Sequence, residues 1–116
     1  MHEIGMLYET AKIAVQYAEQ NQIDSIKGIT MEVGEGSGVF PEIFTEYFPY
    51  VAAQYPQLKD AEMHIRVVPS EGLCTDCHCL YNIMKQKGIC PRCHSRKKKV
   101  LSGRKVRIQD IEFESA

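Results

Sequence analysis

Residues 74–93 read CTDCHCLYNIMKQKGICPRC. Two residues separate Cys74 from Cys77, twelve follow, and two more separate Cys90 from Cys93. Two intervening residues let one tight turn aim both sulfurs at a single point. Two such turns facing each other supply a tetrahedron of thiolates, which zinc accepts without electronic preference. A closed four-thiolate shell leaves no position for water or substrate, so the role it predicts is structural. Thiolates disfavour magnesium and calcium, whereas iron stays compatible on ligand type alone. A segment this short cannot bury a stable core, so a bound metal is expected to supply its folding free energy. The chain on either side carries strand and helix patterns that need each other, which makes the cysteine segment an insertion.

Upstream, Ile4, Leu7, Tyr8, Ala11, Val15 and Ala18 recur at three- and four-residue steps and predict a helix that fades near Asn21. Ile29, Met31 and Val33 alternate with Thr30 and Glu32 as a half-buried strand, broken by Gly34, Gly36 and Gly38. Pro41 suits the first turn of a second helix, with Ile43, Phe44, Tyr47, Phe48, Val51 and Ala52 as its apolar stripe. Pro49 lies inside that stripe and is expected to kink or interrupt it. Pro56 ends the pattern. Met63, Ile65 and Val67 form a second strand, and Pro69 to Gly72 reads as a connector. Downstream, Lys105–Glu114 is a third strand. Val106 and Ile108 share one phase and Ile111 and Phe113 the other, so a bulge is expected near Gln109–Asp110. The expected fold is α+β: a three-stranded sheet with two helices on one face, plus a small inserted zinc-ribbon-like domain. The expected division is 1–70 with 104–116 for the first domain and 71–103 for the insert.

The chain has 116 residues and a formal net charge of −1. That sum hides a contrast. Residues 1–73 carry 4 Lys/Arg against 11 Asp/Glu, whereas residues 74–107 carry 10 Lys/Arg against Asp76 alone. Even with the net −2 of zinc on four thiolates, the cysteine segment stays basic. No apolar run is long enough to span a membrane, and no basic segment with an apolar core opens the chain. A cytoplasmic protein that engages no membrane is therefore expected, one whose thiols stay reduced.

The basic run Arg96–Lys99 could track phosphates, but it lacks interleaved aromatics for stacking bases and any recognition-helix pattern. A solvated loop or a surface for an acidic protein is the better reading, with a zinc-ribbon nucleic-acid-binding or partner-binding module as the alternative function. A thiol–disulfide oxidoreductase fits less well, because two matched pairs are one more than a redox centre needs. No nucleophile–base pair or phosphate loop is visible, so no enzyme is expected. His78 and His94 stand where glycine usually follows the second cysteine of such turns. Histidine is among the side chains that tolerate positive φ, so both are read as exposed turn residues. Cys79 is read as a spectator thiol.

The first three residues are Met1, His2 and Glu3. A bulky second residue leaves the initiator methionine in place. The α-amino group, the amide of residue 2 and the His2 imidazole then offer nitrogen donors in the planar arrangement that suits Ni(II) or Cu(II). Ligation needs a deprotonated amine, of ordinary pKa about 7.7–8.0, so acid weakens it. Glu3 is equally well placed as a favourable charge at a helix start.

Met1-His2-Glu3, the segment Gly36 to Phe44, the paired cysteine insert, and Ser102-Gly103 followed by Ile108, Ile111, Glu112, Phe113 and Glu114 occur in one order. In this the chain closely resembles the HypA/HybF family of hydrogenase maturation nickel metallochaperones, over nearly its whole length. The resemblance implies a nickel-binding α/β domain with a zinc domain inserted before its last strand. His2 is implied as the essential Ni(II) ligand, with help from the Met1 amine and nearby amides and a contribution from Glu3. Cys74, Cys77, Cys90 and Cys93 match the family's Zn(II) ligands. Implied partners are a HypB-type GTPase and the hydrogenase large-subunit precursor, with urease-system proteins in some relatives. A monomer or weak homodimer that binds no nucleic acid is expected. His78, His94, Cys79 and Pro49 depart from the family pattern.

Overall fold

The computed structural model describes residues 3–113. The first helix, α1, runs Glu3–Gln20 and buries Leu7, Ala11, Ala14, Val15 and Ala18 along one stripe. Tyr8, expected in that stripe, lies outside it at 44% exposure. Its position on the helix is one step round from Leu7, toward solvent. The helix ends without glycine. Gln22 takes positive φ (58°), and Ile23 N–H donates to the Ala18 carbonyl at 2.8 Å, closing the last turn as a Schellman-type cap.

Strand β1, Ile26–Gly34, starts three residues before the alternating pattern. Ile29, Met31 and Val33 are buried, and the Thr10 hydroxyl of α1 donates to Met31 Sδ at 3.7 Å. Helix α2, Pro41–Ala52, opens on its proline and buries Phe44, Phe48, Val51 and Ala52. It packs against α1. The expected interruption at Pro49 does not occur, because the helix continues through it. A proline there removes one donor, the one the Thr45 carbonyl would use. Thr45 is exposed, so water can serve that carbonyl. A short 3-10 turn, Pro56–Leu58, follows and buries Leu58.

Strands β2, Glu62–Val68, and β6, Val106–Phe113, flank β1 in the order β2-β1-β6. Inward positions in β6 fall at Val106, Ile108 and Ile111, the phase slip read from the sequence. The Tyr17 and Phe113 rings lie 6.4 Å apart, which ties α1 to this strand. The result is α+β, two helices against a three-stranded sheet.

The supposed connector 69–72 is partly strand. Glu71–Cys74 is β3, and it is flanked by β4, Leu80–Asn82, and β5, Lys98–Ser102, in a second sheet of order β4-β3-β5. Gly72 hid the strand from a reading based on side-chain alternation. It sits there because a Cβ would come within 2.9 Å of Ile83 Cγ1. The chain forms two compact units, one of Met1–Met31, Phe40–Arg66 and Arg107–Ala116, the other of Glu32–Val39 and Val67–Val106.

In the second unit the entering and leaving segments lie side by side. Ser102 Oγ donates to the Pro69 carbonyl at 2.9 Å, and Gly36 N–H donates to the Gly103 carbonyl at 2.8 Å. Glu35 adds a side-chain tie, accepting from Ser70 N–H at 3.2 Å and from the Asn82 amide at 3.1 Å. These bonds give the insert a fixed base.

Candidate metal centre

β3 ends at Cys74, which starts the first turn. His78 N–H donates to the Cys74 carbonyl, and Cys74 N–H to the Cys79 carbonyl, both at 2.9 Å. The second turn repeats the pattern: His94 N–H to Cys90 O and Cys90 N–H to Ser95 O, again at 2.9 Å. His78 and His94 carry positive φ, 64° and 66°, so histidine does occupy the backbone positions where glycine is usual. The two turns are linked by a short hydrogen bond from the Ser95 hydroxyl to the Asp76 carboxylate. Ser95 Oγ also accepts the Lys97 N–H at 3.1 Å.

This pairing of turns converges the four sulfurs. Cys74 and Cys93 Sγ lie 3.5 Å apart, as do Cys77 and Cys90 Sγ, and all four lie within 4.8 Å of one another. Four thiolates on a tetrahedral ion at about 2.3 Å would be spaced by about 3.8 Å, so the set fits such an ion with adjustments of about 1 Å or less. Cys74 and Cys90 are fully buried, Cys77 is half-buried and Cys93 exposed.

The surrounding amides prepare two of the sulfurs as anions. The Cys77 N–H draws the Cys74 thiol below its ordinary value, against the cost of burial. Burial opposes ionisation of Cys90 as well, yet the Cys93 and Arg92 N–H groups bring it down to about 6. Burial pushes Cys77 up to about 12. Cys93 is also raised; the Ser95 N–H is the largest single influence and favours its thiolate, but the Cys74 sulfur, burial and the Cys90 sulfur together outweigh it. Charge concentrated this way calls for a cation, and thiolates select a soft or borderline one. Tyr81 and the half-buried Ile83 and Cys79 pack against Cys74 and Cys90. The Tyr81 hydroxyl is buried with no hydrogen-bond partner among the described residues. Its pKa is raised by burial and then by the thiolates. Sequence reasoning missed Tyr81, Asp76 and Ser95. Only position relative to the cysteines could have pointed to them.

Of the predicted nickel-site residues, Met1 and His2 lie outside the described residues. Glu3 opens α1 and is only 5% exposed. Its carboxylate accepts the Phe40 N–H, the residue before α2, at 3.3 Å. A residue read as a favourable charge at a helix start therefore joins two helix starts. No helix among the described residues is long and apolar enough to cross a membrane.

Comparison with known proteins agrees with this architecture. A hydrogenase maturation factor HypA from a Picosynechococcus species is 33% identical over 112 residues, covering 97% of this chain and 98% of that one. A hydrogenase maturation factor HybF from Salmonella typhimurium is 29% identical over 114 residues, covering 98% and 100%. The solution structure of the nickel metallochaperone HypA from Helicobacter pylori superposes with a TM-score of 0.68 at 24% identity, covering all of both chains. A second HypA solution structure gives 0.72 at 24% identity, covering 98% and 97%. These two likenesses speak for the fold. The family profile described as HypA, hydrogenase/urease nickel incorporation, metallochaperone, matches residues 1–113, and the chain belongs to that family of hydrogenase-maturation nickel metallochaperones.

Proposed function

We propose that the chain binds Ni(II) through its N-terminus and delivers it to the [NiFe]-hydrogenase large-subunit precursor. The observation that carries this reading is the family match, which runs from residue 1 and so takes in Met1-His2-Glu3. His2 imidazole, the Met1 amine and nearby amides form the nickel set, and Glu3 contributes from the start of α1. An incomplete nitrogen set suits transfer, because an incoming ligand can attack as the old ones leave. The chain acts as a carrier and catalyses no reaction. A HypB-type GTPase is its partner in that delivery, with urease-system proteins as further candidates. It works in the cytoplasm as a monomer or weak homodimer.

Cys74, Cys77, Cys90 and Cys93 hold a structural Zn(II). Residues 1–70 with 104–116 act as the nickel domain and 71–103 as the zinc domain. The test uses untagged protein native at Met1, since a tag would block the amine. In equilibrium dialysis His2→Gln, which keeps a bulky second residue and so Met1, is expected to lose nickel while keeping one zinc. Normal nickel uptake by that variant would sink the proposed site.

A further inference from the structure

The second sheet has one face that the metal centre does not use. Tyr81 pairs across β3 with Gly72, and Gly72 with Val100; this row lies on the side of the buried cluster around Cys74 and Cys90. The neighbouring row is Leu80, Leu73 and Lys99. Directly opposed residues share a face and adjacent rows alternate, so that row points away from the cysteines. Leu101 is the extra residue of a bulge opposite Glu71. It lies two positions past Lys99, on the same side.

The leucines there are not core. Leu80 is 62% exposed and Leu101 49%, and Leu73 is half-buried. Leu80 and Leu73 are cross-strand neighbours and Leu101 lies diagonal to Leu73 across the β3–β5 pair, so exposed leucines gather on one face of a small sheet. The unit that carries it is basic. Within Glu32–Val39 and Val67–Val106 there are nine Lys/Arg against four Asp/Glu, the acids being Glu32, Glu35, Glu71 and Asp76. Arg92, Arg96, Lys97, Lys99, Arg104 and Lys105 are all exposed. Glu71 is the one acid in the registered rows of the outer face.

We propose that this face, Leu73, Leu80 and Leu101 around Lys99, docks an acidic segment of a partner protein that carries leucine-like side chains at helical spacing. The leucines need an apolar stripe, and the excess of cations over acids in this unit favours acidic flanks. A second copy would bring the same cation-rich unit against itself, which like charges penalise. A nucleic acid would use the cations but leave the leucines wet, and the face offers no aromatic for bases to stack on. The inference needs the second unit to be folded around its metal and does not depend on nickel.

The probe is a fluorescein-labelled synthetic helical peptide with leucines at three- and four-residue steps and glutamates elsewhere, titrated into the zinc-loaded full chain. Saturable binding is expected, weakened at least about tenfold by Leu80→Ser with Leu101→Ser, because truncated apolar anchors dominate such contacts. Lys99→Glu is expected to weaken it too, and amide shifts in NMR spectra should fall on β3, β4 and β5. Zinc content and the amide spectrum check that each variant folds; should the double variant fail, Lys99→Glu alone carries the test. Absence of binding, binding unchanged in the folded variants, or equal binding of a lysine-for-glutamate peptide or a labelled oligothymidylate would each overturn the proposal.

Discussion

Replacing Gly103 with alanine tests whether the insert is held by the close passage of its entering and leaving segments. Gly103 has φ of +86°. A Cβ there would lie 2.5 Å from Ser70 Cα, 2.7 Å from the Pro69 carbonyl oxygen and 2.8 Å from Ser70 N. All three are backbone atoms, so no side chain can swing aside. The backbone conformation alone costs an alanine about 1–2 kcal/mol, and forcing the segments apart adds about 1–3 kcal/mol. A loss of about 3 kcal/mol is expected, a large fraction of the 5–15 kcal/mol a typical domain has. Gly38 is the control. It too has positive φ, +80°, but nothing lies within 4 Å of its Cβ position, so Gly38→Ala should lose about 1–2 kcal/mol from conformation alone. Gly5, inside α1 with open space around it, should gain about 0.5–1 kcal/mol as alanine. The measurement is urea unfolding of zinc-loaded protein followed by far-ultraviolet circular dichroism. If Gly103→Ala and Gly38→Ala lose the same amount, steric crowding at the junction contributes nothing and the reasoning fails.

Tyr81→Phe removes a buried hydroxyl that has no partner among the described residues; stability in the same assay should be unchanged or rise by up to about 1 kcal/mol, and a clear loss would reveal a bond to that oxygen. Glu3→Gln keeps an oxygen to accept the Phe40 N–H but removes the charge. Unfolding should shift by less than about 1 kcal/mol, while nickel affinity measured by calorimetry falls, and unchanged affinity would remove Glu3 from the nickel set.

Much of this fold was legible because side chains repeat with backbone geometry. The alternation of Ile29, Met31 and Val33 and the stripe through Leu7, Ala11 and Val15 are repeated physical constraints that the sequence displays several times over. The phase slip between Ile108 and Ile111 was legible for the same reason. The second sheet was not. Its β4 is three residues long, too short for a period to show, and β3 contains Gly72. The Glu3–Phe40 contact joins residues 37 apart in the chain, and no local pattern encodes it. At Pro49 the propensity argument weighed one lost hydrogen bond without knowing that the affected carbonyl belongs to an exposed residue. The four cysteines were legible because metal chemistry fixes ligand type and spacing together, whereas Asp76 and Ser95, which join the two turns, follow no comparable rule.

The protons displaced by zinc report whether the insert folds before or with its metal. In the folded arrangement Cys90 sits at about 6, below its ordinary 9.0. The stabilisation from its thiolate is full above pH 9 and lost as pH falls through 6. Cys77 runs the other way: raised to about 12, its preference for the thiol is present below pH 9 and lost as pH climbs toward 12. Near pH 7 a folded, metal-free cluster would already hold Cys90 as the thiolate and so give up fewer than four protons on zinc binding. An unfolded segment has ordinary thiols, almost all protonated at pH 7, and gives up about four. The small core around Tyr81 and Ile83 is too slight to stand without metal, so about four is the expected count. Calorimetric titration in buffers of different ionisation enthalpy measures it directly, and a count clearly below four would show that the hydrogen-bonded turns persist without the ion. Four displaced protons also mean that zinc affinity falls by about four powers of ten per pH unit below the thiol range. The amine and amide nitrogens proposed for nickel release fewer protons than four thiols, so acid should strip nickel and zinc along curves of visibly different steepness.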